Sequence, residues 1–258
     1  MKRGAWRWLL WLLWLWLEVG ATAASAQTLR ETRRPGWLDM SPATQALQQD
    51  DALNPAALWL KDGEQRFNAH CAACHSAASL RGVAARYPAW DARLAKPVTL
   101  SARIQQCQVR HVKGPALAAE GEALLGLEVF VARQSRGLPL SPPADATSAQ
   151  RLAPYRAEGE RLFNQRFGQL DFSCAQCHDQ HAGSRLGGST IPQGHPTGYP
   201  IYRLQWQGLG SLQRRLRGCL TGVRAEPFAY GSDELTALEL YLMQRAAGLP
   251  LETPGVRP

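Results

Sequence analysis

The sequence predicts an all-α protein built from two tandem copies of one small helical domain, behind a leader and an arm. Three observations carry that expectation. The motif Cys-X-X-Cys-His occurs twice, at Cys71–His75 and at Cys174–His178. A helix-like stretch precedes each motif: Gly63-Glu64-Gln65-Arg66-Phe67-Asn68 in one place, Gly159-Glu160-Arg161-Leu162-Phe163-Asn164 in the other. Downstream, LEVFVARQSRGLPL (Leu127 to Leu140) returns without a gap as LELYLMQRAAGLPL (Leu238 to Leu251). Self-similarity at a long, nearly fixed period is the mark of a duplicated structural unit.

The leader comes first. Lys2, Arg3 and Arg7 precede an apolar run from Trp8 to Leu17, and Ala24-Ser25-Ala26 offers a cleavage site. That pattern is a secretory signal peptide over residues 1–26. Its apolar core is shorter than the ~20 residues of a membrane span. No later segment approaches that length, so no span is expected after processing. The leader holds five of the nine tryptophans. Losing its three basic residues and one acidic residue lowers the formal charge from +8 to +6. Modest positive charge on an exported chain argues against nucleic acid and suits anionic small molecules or acidic protein partners.

Residues 27–50 show little periodicity and read as an arm laid over a domain or a partner. The first domain spans 51–140. Residues 141–153, with Pro142-Pro143-Ala144-Asp145-Ala146-Thr147-Ser148, have linker composition. The second domain spans 154–258. In each, the Gly-Glu-X-X-Phe segment reads as the end of a helix leading into the Cys-X-X-Cys-His loop; the second copy has seven extra residues between Asn164 and Cys174. Each closing helix has apolar residues on a 3.6-residue rhythm and a Gly stop followed by Pro. Ser232 is the expected N-cap of the second, with Asp233 and Glu234 in its first turn.

Six cysteines in an exported chain would ordinarily suggest disulfides. Here each Cys-X-X-Cys is followed at once by His, which zinc ribbons and thioredoxin-like pairs do not require. Two thiols three positions apart can add to the vinyl groups of one haem, with the adjacent His as an iron ligand. Two haem c groups are therefore expected, one on Cys71 and Cys74 with His75, the other on Cys174 and Cys177 with His178. A Gly-Glu-X-X-Phe helix, the haem motif and a closing Leu-Glu-X-aromatic helix together resemble the class I cytochrome c fold. The resemblance implies two domains whose terminal helices cross near the Gly and aromatic positions, each around one haem.

Cys107 and Cys219 remain. One reading is a disulfide between them or two inert buried thiols. The repeat weighs against it, because Arg103-Ile104-Gln105-Gln106-Cys107 matches Arg215-Leu216-Arg217-Gly218-Cys219. Each cysteine stands after its own haem motif and before its own final helix, where a cytochrome c domain presents its sixth iron ligand. Beyond the leader only Met40 and Met243 could serve as methionine ligands, and they do not match. His70, His111, His181 and His195 have no matched partners either. Thiolate ligation by Cys107 and Cys219 is the remaining choice, and it favours ferric iron and low potentials. The second site also differs in charge. Arg214, Arg215, Arg217 and Arg224 surround Cys219, where Gln105 and Gln106 precede Cys107. Such a cluster suits an oxyanion and a thiolate, or a docking face. Arg215 matches Arg103 and has a structural share; Arg245 matches Gln134 and is specific to the second copy.

The run IPQGHPTGYPIYRLQWQGLGSLQRRLRGCLTGVRAEPFAYGS, following Cys174-Ala-Gln-Cys177-His178 and continued to the C-terminus, resembles the SoxA family of dihaem cytochromes. The resemblance implies a periplasmic L-cysteine S-thiosulfotransferase of bacterial thiosulfate oxidation. It implies a heterodimer with a SoxX-like monohaem cytochrome and a SoxYZ-like carrier protein as substrate beside thiosulfate. It carries the catalytic cysteine, often a persulfide, onto Cys219, and the substrate-contacting arginine onto Arg215 and, more weakly, Arg245. Related thiosulfate dehydrogenases make tetrathionate and typically pair His/Cys at one haem with His/Met at the other. A dihaem electron carrier without catalysis is the remaining alternative.

Overall fold

A computed structural model describes residues 33–258. The leader expected at 1–26 and the start of the arm lie outside the described residues. The helices, in order, are α1 (Pro42–Gln49), α2 (Ala57–His70), α3 (Leu100–Arg110), α4 (Glu122–Arg133), α5 (Ala146–Asn164), α6 (Leu212–Gly222) and α7 (Asp233–Arg245). Among the described residues no helix is long and apolar enough to cross a membrane.

Helix starts are set by short polar side chains. Ser41, Thr99, Asp145, Ser211 and Ser232 each accept a backbone N–H from three residues on, satisfying a donor that a helix start leaves open. Ser232, Asp233 and Glu234 behave as the sequence predicts. Two segments are more ordered than their composition suggests. The arm contains α1, eight residues that are too few for a periodic signal but are started by Ser41 and Pro42. The Asp145 cap begins α5 at Ala146, so only the first part of 141–153 is non-helical.

Each half is built on one helix crossing, α2 with α4 and α5 with α7. A Cβ added to Gly63 would enter the Gly126 carbonyl, and one added to Gly159 would enter the carbonyl of Ala237. One turn on, Phe67 packs on Phe130 with centroids 4.9 Å apart, and Phe163 packs on Tyr241 at 5.4 Å. These are the matched Gly and aromatic positions of the repeat. The first core gathers Phe67, Leu80, Leu100, Leu127 and Phe130. The second gathers Leu162, Phe163, Leu235, Leu238 and Leu242.

The two Gly-Leu-Pro-Leu tails do more than stop their helices, because they pair with each other. Gly137 N–H donates to Leu251 O (2.8 Å), Leu251 N–H to Leu138 O (2.9 Å), Leu140 N–H to Leu249 O (2.9 Å) and Gly248 N–H to Leu140 O (2.8 Å). Met243, Ala246 and Leu251 of the second copy thereby join the core of the first. Small strands complete the frame. β1 (Ala89–Asp91) pairs antiparallel with β2 (Lys96–Val98). A short hairpin joins β3 (Arg185–Leu186) to β4 (Ser189–Thr190). β5 (Ile201–Arg203) pairs with β6 (Gly208–Gly210) in the register of β1 and β2, 112 positions on. β7 (Gly255–Arg257) adds parallel to β5. The arm docks there: Gln48 Oε1 accepts from Val256 N–H at 3.0 Å and from Arg257 Nη1 at 2.5 Å.

Matched glutamates Glu128 and Glu239 line a cavity of about 430 Å³ between the copies. Burial, reinforced by the Glu239 charge, pushes the Glu128 carboxyl from 4.5 to about 8. The folded protein then keeps a proton that the unfolded chain releases above pH 4.5, so this group's effect on stability worsens as pH rises toward 8. Glu128→Gln should remove that dependence. The fall in Tm between pH 5 and 9 should shrink by ~5 °C in thermal melts of the holoprotein.

Candidate functional site

The first Cys-X-X-Cys-His motif sits where α2 ends. Cys71 N–H donates to Phe67 O at 2.8 Å, and the Cys71 carbonyl accepts from Cys74 and His75 N–H at 3.0 Å each. Cys71 packs against the first core, while Cys74 and His75 are exposed. Cys107, on α3, lies close enough to Cys71 to raise its pKa electrostatically, after burial.

The second motif is held more tightly. Cys174 packs against the second core, and one π-turn, Gln176–Gln180, carries Cys177 and His178. His178 Nδ1 is 2.7 Å from the Pro192 carbonyl oxygen. That acceptor fixes the proton on Nδ1 and leaves the Nε2 lone pair for a metal. The loop closes over the ring at Gly194, whose φ of +73° favours glycine and whose would-be Cβ would crowd the imidazole at 3.2 Å.

Cys219, on α6, lies within hydrogen-bonding reach of His178. Burial raises its pKa, but the His178 bond and the charges of Arg215, His178 and Arg203 outweigh it, so the thiol is held below its usual range. Two thiols on one turn, a His whose Nδ1 is taken by a carbonyl, a thiol facing its other nitrogen and an apolar core with aromatic edges suit a covalently held haem. His178 and Cys219 would hold its iron. The donor set therefore fits.

The arginine cluster separates into different tasks. Arg217 Nη1 donates to the Phe228 carbonyl, and its guanidinium lies 4.5 Å over the Tyr230 ring. Arg214 donates to Leu209 O at 3.3 Å and stacks 4.2 Å over Trp206. The Arg224 carbonyl accepts from Gln169 N–H. Arg215 keeps its charge directed at Cys219 and Tyr199. Burial pushes the Tyr199 hydroxyl up to about 12, against the pull of Arg215. Arg245 lies by the second motif: its Nη2 is 2.5 Å from Asp179 Oδ1, the residue after His178, and it stacks 4.5 Å over Phe163.

A family model described as SoxA/TsdA, cytochrome c domain, matches residues 55–140 and 158–251, one match over each copy. The chain belongs to this family. A cytochrome c domain of this kind holds haem c. The "L-cysteine S-thiosulfotransferase subunit SoxA" of Pseudaminobacter salicylatoxidans is 34% identical over 231 residues, covering 86% of this chain and 80% of that protein. The protein of the same name from Paracoccus pantotrophus is 32% identical, covering 88% and 80%. The crystal structure of SoxXA from P. pantotrophus superposes with a TM-score of 0.83 at 31% identity, covering 88% of this chain and 87% of that one.

Of the residues that sequence reasoning named, the fold brings Cys71 near Cys74 and Cys107, and Cys219 near Cys174, His178 and Arg215; His75 is exposed at the end of the first motif. Sequence reasoning did not single out Pro192, Tyr199 or Arg203. The contact that sequence cannot give for Arg245 is its pairing with Asp179. Arg245→Gln, which installs the residue that the first copy carries at Gln134, should lower Tm by ~1–3 °C. Haem absorbance should be retained, which circular dichroism melts and visible spectra would check.

Proposed function

We propose that the chain is the dihaem SoxA-type subunit of a periplasmic L-cysteine S-thiosulfotransferase. It joins thiosulfate to a cysteine of a SoxYZ-type carrier protein, and its partner subunit is a SoxX-type monohaem cytochrome. The observation that carries this reading is Cys219 facing His178 with Arg215 at its side. The names of its relatives support the activity and the heterodimer. The leader-like residues 1–26 support export.

Two haems are expected because each copy has its own set: Cys71, Cys74, His75 and Cys107 in the first, Cys174, Cys177, His178 and Cys219 in the second. Bound haem c supplies one-electron acceptor chemistry and an iron that takes up thiolate. The rest falls to the chain. Arg215 donates N–H groups to the sulfonate oxygens of thiosulfate and turns its terminal sulfur toward Cys219. Arg215 and the His178 side of the pocket favour a thiolate at Cys219, the reactive form in sulfur exchange. In the net reaction a bond forms between the sulfane sulfur and the carrier's cysteine sulfur. The carrier thiol loses its proton, and two electrons leave, one for each sulfur oxidised. The carrier must reach Cys219, so this edge of the second copy is a docking surface.

A tetrathionate-forming dehydrogenase shares the family model. The matched thiols Cys107 and Cys219 favour the transferase. Cys219→Ala should lower carrier loading by ~10³-fold or more, scored by mass of the carrier after incubation with thiosulfate, while both haems stay attached. Intact-mass measurement of the mature protein should show two haems, and one further sulfur where Cys219 is a persulfide; one haem would overturn the dihaem reading.

A further inference from the structure

The two copies run in step from Tyr87 to Cys107 and from Tyr199 to Cys219 without a gap. Their strand registers coincide as well, Ala89↔Val98 with Ile201↔Gly210 and Asp91↔Lys96 with Arg203↔Gly208. Every residue of the segment leading to one distal cysteine therefore has a counterpart in the other. Among the differences are two of the three partners of one arginine.

In the first copy Arg103 has internal partners. Its Nη1 lies 3.0 Å from Asp91 Oδ2 and donates to Gln106 Oε1 at 2.8 Å, and its Nε donates to Tyr87 Oη at 3.3 Å. Asp91 is 3% exposed, so this pairing neutralises the guanidinium beneath the surface. In the second copy the counterpart of Arg103 is Arg215. Tyr87 is kept as Tyr199, but Gln106 becomes Gly218 and Asp91 becomes Arg203. The acceptor amide is gone, and a Cβ at Gly218 would meet nothing within 4 Å, so exposed open space lies over the residue that precedes Cys219. The buried carboxylate has become a second cation. Among the described residues no hydrogen bond or ion pair occupies the Arg215 guanidinium.

Arg203 is held in place. Its Nε donates to the Pro258 main-chain oxygen at 2.7 Å, and its guanidinium lies 5.0 Å over the Trp206 ring. Trp206 carries Arg214 at 4.2 Å, which fixes the ring in turn. Burial and then the charge of Arg215 hold Arg203 below the usual arginine range, as two close guanidiniums should. Such a pair is costly without an anion and favourable with one between them. We propose that Arg203 and Arg215 together seat the dianionic oxyanion substrate beside Cys219. In this view Gly218 is its entry, and Asp91 and Gln106 close the same place in the first copy. The substrate class, a small dianion with a sulfonate-like head, rests on the function proposed above; the two-arginine seat itself rests on the repeat.

The test measures equilibrium binding of an unreactive dianion, sulfate, to the holoprotein at fixed ionic strength, alongside thiosulfate kinetics. Arg203→Gln should weaken sulfate binding by ~10- to 100-fold. It should raise KM for thiosulfate by a similar factor with kcat little changed, and Arg203→Lys should recover part of the loss. Gly218→Gln, which restores the first copy's acceptor, should weaken binding without touching Arg203. Intact haem spectra and unchanged Tm identify folded variants. Unaltered sulfate affinity in folded Arg203→Gln and Gly218→Gln overturns the proposal, as does a loss in kcat alone. If the wild type binds sulfate through Arg203 yet loads no carrier, the seat stands and the transferase reading falls.

Discussion

Gly63 and Gly126 let α2 and α4 touch backbone to backbone, and Gly159 does the same for α5 against Ala237 of α7. A glycine inside a helix costs about 1 kcal/mol relative to alanine, and the close approach it permits offsets that through dense contact. Much of each site hangs from this crossing. Phe67 and Phe163 sit one turn beyond the glycine and find Phe130 and Tyr241 across it. The first Cys-X-X-Cys-His turn starts where α2 ends, and Cys174 packs onto the side chains that α5 and α7 present. Displace either crossing, and the covalent anchors no longer face their apolar core.

The paired Gly-Leu-Pro-Leu tails then turn two such crossings into one object. Pro35–Pro258 forms a single compact unit, and four backbone hydrogen bonds between the tails supply part of the reason. Met243 stands where a second-copy helix would otherwise present an unpartnered apolar side chain, and it is buried in the first core instead. The first copy consequently supports the second whatever its own part in electron transfer. The same apposition confines Glu128 and Glu239 in one cavity, where neither charge is fully solvated.

Local and repeated features were legible in the sequence. Caps are short-range, so Ser232 could be read directly. Cys107 and Cys219 could be matched because the repeat keeps its register through both. Features that depend on distant carbonyls could not be read. Nothing near Arg217 in the chain announces the Phe228 oxygen, and nothing near His178 announces Pro192. The tails looked like helix stops because a Gly-Leu-Pro pattern is compatible with a stop and with a pairing segment. Arg203 differs from these, since its signal was present. Extending the register from Arg103 and Arg215 back to β1 and β5 sets Asp91 opposite Arg203.

The proposed function asks two copies of a fold to do unequal work, and the exchange of Asp91 for Arg203 offers a physical basis for it. Strand register, a hydroxyl cap (Thr99, Ser211), distal thiol and tyrosine are retained in both halves. What changes is the sign of the charge beside a conserved guanidinium. A carboxylate there completes Arg103 internally and leaves no demand for an outside anion. An arginine there leaves a cationic pair whose repulsion the rigid crossings and paired tails must withstand until an anion relieves it. In the proposed function, reactivity at Cys219 is thus a property of its neighbours' charge, set within a scaffold that the first copy shares.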